Sequence, residues 1–316
     1  MRISGVSYSV RKTHKARNLI LTLITFLLLM VLTVVIISAY NGWKLLHPDK
    51  KDVEVFSSNI VPEYRDISFR GIDKNIVLKG WFFELKNSDK TVILAHSYGK
   101  NRLEFDEKSI PMIKSFLDKG YNVFTFDFRN SGQSGGKDTT FGYYEKDDVA
   151  AAVQYVSKQG SKHIVLMGFS TGAAASILAA AEVKVEAVIA DSPYANLSDY
   201  LKSDLNQWVR LPSIPFNRTI LYMMEIMSGM DTENADLEKS LENISPCRLL
   251  LIHGKEDGII PVENSRKLNF RYSEIASGRS EIWETDDAGD AASYLKYPEE
   301  YMRRVFEFLE KTDEKS

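Results

Sequence analysis

The sequence is poor in cysteine. A single cysteine, Cys247, occurs among 316 residues, so no disulfide can form within one chain. This excludes a small scaffold stapled by disulfides. It fits either a reducing compartment or an extracytoplasmic protein whose core is large enough without cross-links. We expect Cys247 to be a small buried residue rather than a nucleophile.

Other chemical signatures are also missing. The sequence has no cluster of metal-ligating residues, no phosphate-cradling loop and no dinucleotide fingerprint, since residues 134–136 (Ser-Gly-Gly) lack the required pattern. It therefore predicts neither a metal nor a cofactor. The net charge is −3 and basic residues cluster only at the N-terminus, which argues against nucleic acid as a partner.

Acidic residues are absent from the first 48 positions, and the start of the chain is basic. Its basic residues are Arg2, Arg11, Lys12, Lys15 and Arg17. Residues 19–38 follow without a single charge, and about twenty apolar residues span a bilayer as a helix. Because the basic residues precede this span, residues 1–18 are predicted to be a cytoplasmic tail and the rest of the chain to lie outside.

Two other interpretations of the apolar segment stay open. One is a cleaved signal peptide, although its apolar region is usually only about 7–15 residues and no clean A-x-A site follows here. The other is a buried core helix. With an uncleaved anchor, Tyr40 and Trp43 would lie at the outer membrane interface. The predicted organisation is then an anchor at 19–38, a linker at 39–60 and one globular domain at 61–312.

A Gly-x-Ser-x-Gly motif occupies residues 168–172. An apolar run at 164–167 precedes it and an Ala-rich run at 173–180 follows, which is the strand and helix context of a nucleophile elbow. Glycines flank the serine because so tight a turn leaves no room for side chains against the neighbouring backbone. Ser170 is the candidate nucleophile. The alternative is a Gly-rich turn whose serine only caps the helix.

The partners of a catalytic serine are only partly present. The serine needs a base to take its proton, and the base needs an orienting carboxylate. Asp257 follows an apolar strand at 248–253, where such an acid belongs in a sheet with an elbow. The histidines are His14, His47, His96, His163 and His253. None follows Asp257, so the chain order serine, acid, histidine is broken.

These motifs resemble the α/β-hydrolase superfamily, in particular its bacterial membrane-anchored serine hydrolases related to esterases and prolyl-oligopeptidase-type peptidases. Three more segments carry the resemblance: residues 91–99 are similar to the family's strand and oxyanion loop, 127–134 to its Asp-x-Arg-x-x-Gly-x-Ser turn, and 191–193 to the exit of the strand after the elbow helix.

The resemblance covers roughly residues 60–312 and implies further site residues. The backbone N–H groups of Tyr98 and Thr171 would form the oxyanion hole. The family's last loop typically reads small-Gly-His, and in this sequence Asp290 stands at the position of that histidine. The site set implied by the resemblance is therefore Ser170, Asp257 and Asp290 with the two N–H donors.

The implied fold is α/β: a mostly parallel sheet flanked by helices, opened by antiparallel edge strands and carrying a helical cap at about residues 193–245. The cap contains four methionines, Met223, Met224, Met227 and Met230. These residues either line an adaptable apolar pocket or hold the cap to the body of the protein. In the first case the substrate has an apolar portion.

Two functions stay open at this point. The first is a membrane-anchored serine hydrolase of small ester or peptide substrates, impaired because a carboxyl with a reference pKa of about 3.9 is a weak base at neutral pH. The second is a non-catalytic binding or scaffold protein that kept the pocket and lost the base. Retention of the elbow, Asp257 and the oxyanion loop favours the hydrolase.

Overall fold

The computed structural model describes residues 14–54, 56, 59–205, 208–244 and 247–313. Three of the predicted basic-tail residues, Arg2, Arg11 and Lys12, lie outside them. One sheet contains the strands β1 (Arg65–Arg70), β2 (Val77–Phe83), β3 (Lys90–Ala95), β4 (Asn122–Asp127), β5 (His163–Phe169), β6 (Ala187–Asp191), β7 (Arg248–Gly254) and β8 (Ser280–Thr285). Their spatial order is β1-β2-β4-β3-β5-β6-β7-β8.

One strand, β2, runs against all the others in the sheet. β1 pairs with β2 and β2 with β4 in antiparallel registers, whereas every pair from β4 to β8 is parallel. The carboxyl ends of β3, β5, β6 and β7 therefore meet at one edge of the sheet, where ligands bind in open α/β sheets. This is the α/β-hydrolase fold that the motif pattern implies.

Helices cover both faces of the sheet. They are α1 (Lys15–Leu46), α2 (Ser109–Asp118), α3 (Glu145–Lys158), α4 (Thr171–Ala180), α5 (Leu197–Asp204), α6 (Ser213–Ser228), α7 (Leu237–Ser240), α8 (Glu263–Ile275), α9 (Ser293–Lys296) and α10 (Pro298–Asp313). Alternate residues of a strand point to opposite faces. In β3, Ile93 packs on the side of α3 and α4, whereas Val92 and Leu94 pack on the side of α2 and α10.

Most predicted elements lie where the sequence pattern places them. The strand predicted from residue 185 begins at Ala187, and the helix predicted from Pro298 begins there. Its residues Tyr301, Val305, Phe308 and Leu309 are buried against the sheet, as their spacing predicts. Cys247 is buried too, and burial raises the pKa of its thiol to about 11, which makes it a poor nucleophile.

The N-terminal helix is longer than its apolar segment. α1 ends at Leu46, so the part of the chain expected to be a linker from residue 39 begins as helix. The reason is tertiary packing: Leu45 and Leu46 are buried in the core, and the last third of α1 lies against the cap helix α6. The earlier part of α1 is exposed and apolar. It fits a single-pass membrane anchor by length and composition.

Candidate active site

Ser170 stands on a strained turn between β5 and α4. Its backbone has φ +50° and ψ −116°, a conformation that non-glycine residues rarely adopt. Strained backbone of this kind is found mainly at functional sites. A Cβ added to Gly168 would overlap the backbone of Gly172, so the turn closes only with glycine there. The Ser170 N–H donates to the carbonyl of Asp191 at 2.7 Å, which fixes the turn to the neighbouring strand. These features are those of a nucleophile elbow.

The predicted oxyanion loop lies directly against this elbow. A Cβ on Gly172 would overlap the carbonyl oxygens of Ala95 and His96, so the end of β3 touches the start of α4. This brings the chain that contains Tyr98 to the side of Thr171. The roles of the two N–H groups as oxyanion donors stay a prediction.

Side chains hold the oxyanion loop in place. The Tyr98 hydroxyl donates to the carbonyl of Leu45 at 2.7 Å, and its ring stacks on Phe141 with a centroid distance of 4.6 Å. Ser97, the residue before Tyr98, donates two hydrogen bonds to the carboxyl of Glu104, one from its N–H at 2.7 Å and one from its hydroxyl at 2.6 Å. The loop is therefore tied both to a buried carboxyl and to the end of α1.

Asp257 is positioned by its own turn. Its Oδ1 accepts from the backbone N–H groups of Ile259 and Ile260, each at 2.8 Å. Its Oδ2 is buried without a hydrogen-bond partner, although His253 Nε2 lies 3.2 Å away. That imidazole is occupied elsewhere, since Nε2–H donates to the Ile260 carbonyl at 2.8 Å and Nδ1 accepts from Ser265 at 2.7 Å.

The loop that contains Asp290 is fastened to the ends of two central strands. Glu256 N–H donates to the carbonyl of Ala288 at 3.1 Å, and a Cβ on Gly254 would overlap Ala288. Ala291 N–H donates to the Ser192 hydroxyl at 3.1 Å. These contacts place Asp290 beside both Ser170 and Asp257.

The Asp290 carboxyl has an unusual environment. Burial raises its pKa well above the ordinary value, the charge of Asp257 raises it further, and hydrogen bonding with the Ser170 hydroxyl opposes the rise. Its Oδ1 is buried without a hydrogen-bond partner. Asp290 therefore interacts with both Ser170 and the carboxyl of Asp257, and each of the two carboxyls has one buried oxygen that accepts no hydrogen bond.

Two more buried carboxyls surround this pair. Burial raises the pKa of Asp191 and of Glu104 to about 7 each, and hydrogen bonds to the charged form limit the rise in both. Sequence reasoning found Asp191 as part of a strand exit but missed Glu104. No local pattern marks Glu104, because it approaches the elbow only through the path of the loop after β3.

His96 and His163 also have structural partners. His96 is buried, and both of its ring nitrogens have partners. Its Nε2 accepts from the Phe128 N–H at 3.0 Å, and its Nδ1 lies 2.8 Å from the Ser97 carbonyl oxygen. Burial lowers its pKa to about 4, so it is neutral. His163 pairs with Glu186 at the opposite end of β5. Among the contacts of the described histidines none reaches Ser170, and it stays a prediction that no histidine replaces the missing base.

Known proteins match this fold. The family described as alpha/beta hydrolase fold matches residues 90–213. YqkD of Bacillus subtilis (strain 168) is 30% identical over 239 residues, which are 74% of this chain and 75% of YqkD. The chain belongs to the α/β-hydrolase superfamily.

Two further comparisons place this α/β-hydrolase near ester-cleaving enzymes. The Pyrococcus furiosus esterase Pf2001 superposes with a TM-score of 0.69 at 30% identity, covering 85% of this chain and 98% of the esterase. Lysophosphatidylserine lipase ABHD12 of Bos taurus is 26% identical over 244 residues, 74% of this chain but only 59% of the lipase. An esterase and a lipase among its relatives support hydrolase activity in general.

Proposed function

We propose that the protein is a membrane-anchored serine hydrolase that cleaves an ester or amide bond through Ser170, with Asp290 in the position of the base. The observation that carries this proposal is the contact between the strained elbow serine and Asp290, with Asp257 behind it. A buried hydroxyl beside a carboxyl of raised pKa at the carboxyl edge of a parallel sheet is the expected arrangement of a nucleophile and a proton acceptor.

The reaction follows from the positions of these groups. Ser170 Oγ attacks the substrate carbonyl while its proton passes to the ionised carboxyl of Asp290. The N–H groups of Tyr98 and Thr171 stabilise the tetrahedral oxyanion. Collapse breaks the bond to the leaving alcohol or amine, which takes the proton from Asp290, and leaves an acyl-serine. Water, activated by the same carboxylate, then releases the acid and restores Ser170.

Turnover by this route is slow. Only the ionised fraction of Asp290 accepts a proton, and the facing charge of Asp257 disfavours that fraction. Losing the base of a serine triad costs up to about a million-fold in kcat elsewhere, while the oxyanion hole and binding retain about a thousand-fold or more over water. We therefore expect weak activity in this sequence.

The substrate class follows from the surroundings of the site. The apolar span of α1 keeps the domain at a membrane, and we place the domain on the extracytoplasmic side because basic residues precede the span. Relatives named as an esterase and a lipase favour an ester over an amide. We infer a small ester with an apolar portion as the substrate.

One substitution tests the proposal. An imidazole at position 290 could accept the Ser170 proton and donate its own N–H to the buried, partnerless Oδ2 of Asp257. Asp290→His should therefore raise the hydrolysis of p-nitrophenyl esters by about a hundred-fold or more, the lower end of what general-base catalysis contributes.

Matched variants make this result specific. Asp287→His introduces the same side chain at an exposed position of the same loop and should leave the rate unchanged. Adding Ser170→Ala to Asp290→His should abolish both turnover and labelling by a fluorophosphonate. If Asp290→His and the unaltered protein turn over equally, Ser170 is not the nucleophile or another base acts on it.

The non-catalytic alternative predicts a different pattern. Its support is the carboxyl at position 290, which gives Ser170 a poor base at neutral pH. A binding protein would show saturable ligand binding that survives Ser170→Ala, and neither the unaltered protein nor Asp290→His would be labelled. The same set of variants therefore separates the two functions.

A further inference from the structure

The cap helix α6 lies against the outer part of α1. The hydroxyls of Ser38 and Thr219 share a hydrogen bond at 2.7 Å. A Cβ on Gly42 would lie 3.2 Å from Met224 Cγ and 3.1 Å from Met227 Cε, so the two helices approach closely at this glycine. Two of the cap methionines therefore hold the cap to the anchor helix.

The two helices run in the same direction. Ser38 contacts Thr219, and a Cβ on Gly42, one turn further along α1, would lie beside Ile220, Met224 and Met227, which all follow Thr219 on α6. The N-terminal end of α6 consequently points back along α1 towards its membrane-spanning part. At 1.5 Å per helical residue, Pro215 lies about 6 Å further back along α6 than Thr219, which contacts Ser38. Ser38 is the last residue of the predicted anchor at 19–38, and the next charged residue is Lys44.

The exposed side of α6 carries large apolar side chains in this part of the helix, together with Ser213 and Arg218. Ile214 is 89% exposed and Tyr222 is 60% exposed. On α1, Tyr40 and Trp43 are exposed at about the same height as Tyr222. Aromatic side chains of this kind are enriched where a membrane meets water. The exposed Arg218 between Ile214 and Tyr222 can extend its charged head to the lipid headgroups while its stem stays in the apolar layer.

We propose that the N-terminal half of α6 inserts into the bilayer beside α1, in the leaflet at the C-terminal end of the span. The occupant of this exposed surface is the lipid that also surrounds α1, because α6 packs directly against the anchor helix and both helices expose large apolar side chains. The protein is thereby held to the membrane by its cap as well as by its anchor. The oxyanion loop, tied to Leu45 through Tyr98, lies close to the lipid headgroups.

Site-specific fluorescence in the full-length protein tests this insertion. Single cysteines at Ile214, Tyr222 or Ile226, in a Cys247→Ala background, are labelled with an environment-sensitive dye and reconstituted in lipid nanodiscs. Phe270 is the matched control, since it is an equally exposed aromatic residue on α8, away from α1. Thermal unfolding of each labelled variant checks that the fold is kept.

The parallel arrangement predicts a graded result. Lipids carrying a nitroxide on the acyl chain should quench most of the emission at position 214, less at 222 and least at 226, whereas a water-soluble quencher should give the reverse order. The label at Phe270 should respond only to the water-soluble quencher. Equal behaviour at 214 and 270 would overturn the insertion. Protection at 214 that disappears when the protein is diluted to one copy per nanodisc would assign the surface to a second copy of the chain instead.

Discussion

At the scale of single residues, the decisive feature is the pair of interacting carboxyls, Asp257 and Asp290, the second of which is hydrogen-bonded with Ser170. Asp257 and Asp290 each bury an oxygen that accepts no hydrogen bond. A buried acceptor without a partner costs about 1–3 kcal/mol, more when it is charged. The pair therefore destabilises the folded protein for as long as both groups are ionised, and a proton on Asp290 relieves part of the cost.

This cost gives a prediction about stability and pH. An unfolded aspartate has a pKa of about 3.9, and folding raises the pKa of Asp290 well above that value. The folded state thus binds the proton more tightly, so the stability from this group is complete below about pH 4 and is lost as the pH rises through the folded pKa. Asp290→Asn removes this loss of stability, because the asparagine side chain does not titrate.

We expect Asp290→Asn to raise the free energy of unfolding by at least about 1–2 kcal/mol at about pH 8 and to change it little at about pH 4. Urea unfolding at both values measures the difference. Asp287→Asn, at an exposed position of the same loop, should show no such dependence. A gain in stability that is the same at both pH values would contradict the raised pKa.

At the scale of elements, the site depends on how closely the end of β3 approaches the start of α4. Gly172 makes this approach possible, since any Cβ there would overlap the carbonyls of Ala95 and His96. The glycines of the elbow therefore serve two contacts: the turn itself and the junction with the oxyanion loop. The spacing of the Gly-x-Ser-x-Gly motif predicts the turn, but it does not predict the junction with the oxyanion loop.

Gly172→Ala should force these two elements apart. Overpacking of this kind typically costs about 1–3 kcal/mol, and the displaced oxyanion loop should also lower esterase activity in the Asp290→His background. The control is Gly71→Ala in the turn after β1, where the nearest atom to an added Cβ is the Asp73 carbonyl oxygen at 3.4 Å, an ordinary contact. Unfolding curves and ester hydrolysis of both variants give the comparison. Equal effects would mean that the junction tolerates a methyl group.

At the scale of the whole molecule, the anchor helix is part of the folded domain. Leu45 and Leu46 are buried in the core, and the carbonyl of Leu46 accepts hydrogen bonds from the Thr139 N–H at 2.8 Å and from Asn130 Nδ2 at 3.3 Å. The domain therefore begins within α1 rather than after it.

Two truncations separate the anchor from the domain. A chain that begins at Ala39 keeps both leucines, whereas one that begins at Pro48 loses them. Burial of a leucine side chain contributes about 1.5–3 kcal/mol, so the shorter chain should be less stable by about 3–6 kcal/mol. Denaturant unfolding of the two chains in the same mild detergent measures this difference. Equal stability would show that the end of α1 only rests on the domain.

Much of this protein is determined locally by its sequence. Apolar runs and their periods give the strands and the last helix, and Gly168 to Gly172 give the elbow, because a tight turn between a strand and a helix imposes its residue types locally. The uncharged stretch at 19–38 gives the apolar span, because length and hydropathy alone decide whether a helix can cross a bilayer.

The tertiary structure decided the rest, because these features depend on segments far apart in the chain. Glu104 meets the elbow only through the path of a loop, and α1 continues to Leu46 because α6 and the core cover it. The sequence shows that Asp290 stands where a histidine is expected. Only the fold brings Asp290, Asp257 and Ser170 together, and burial of the two carboxyls in one place, rather than either residue alone, raises the pKa of Asp290.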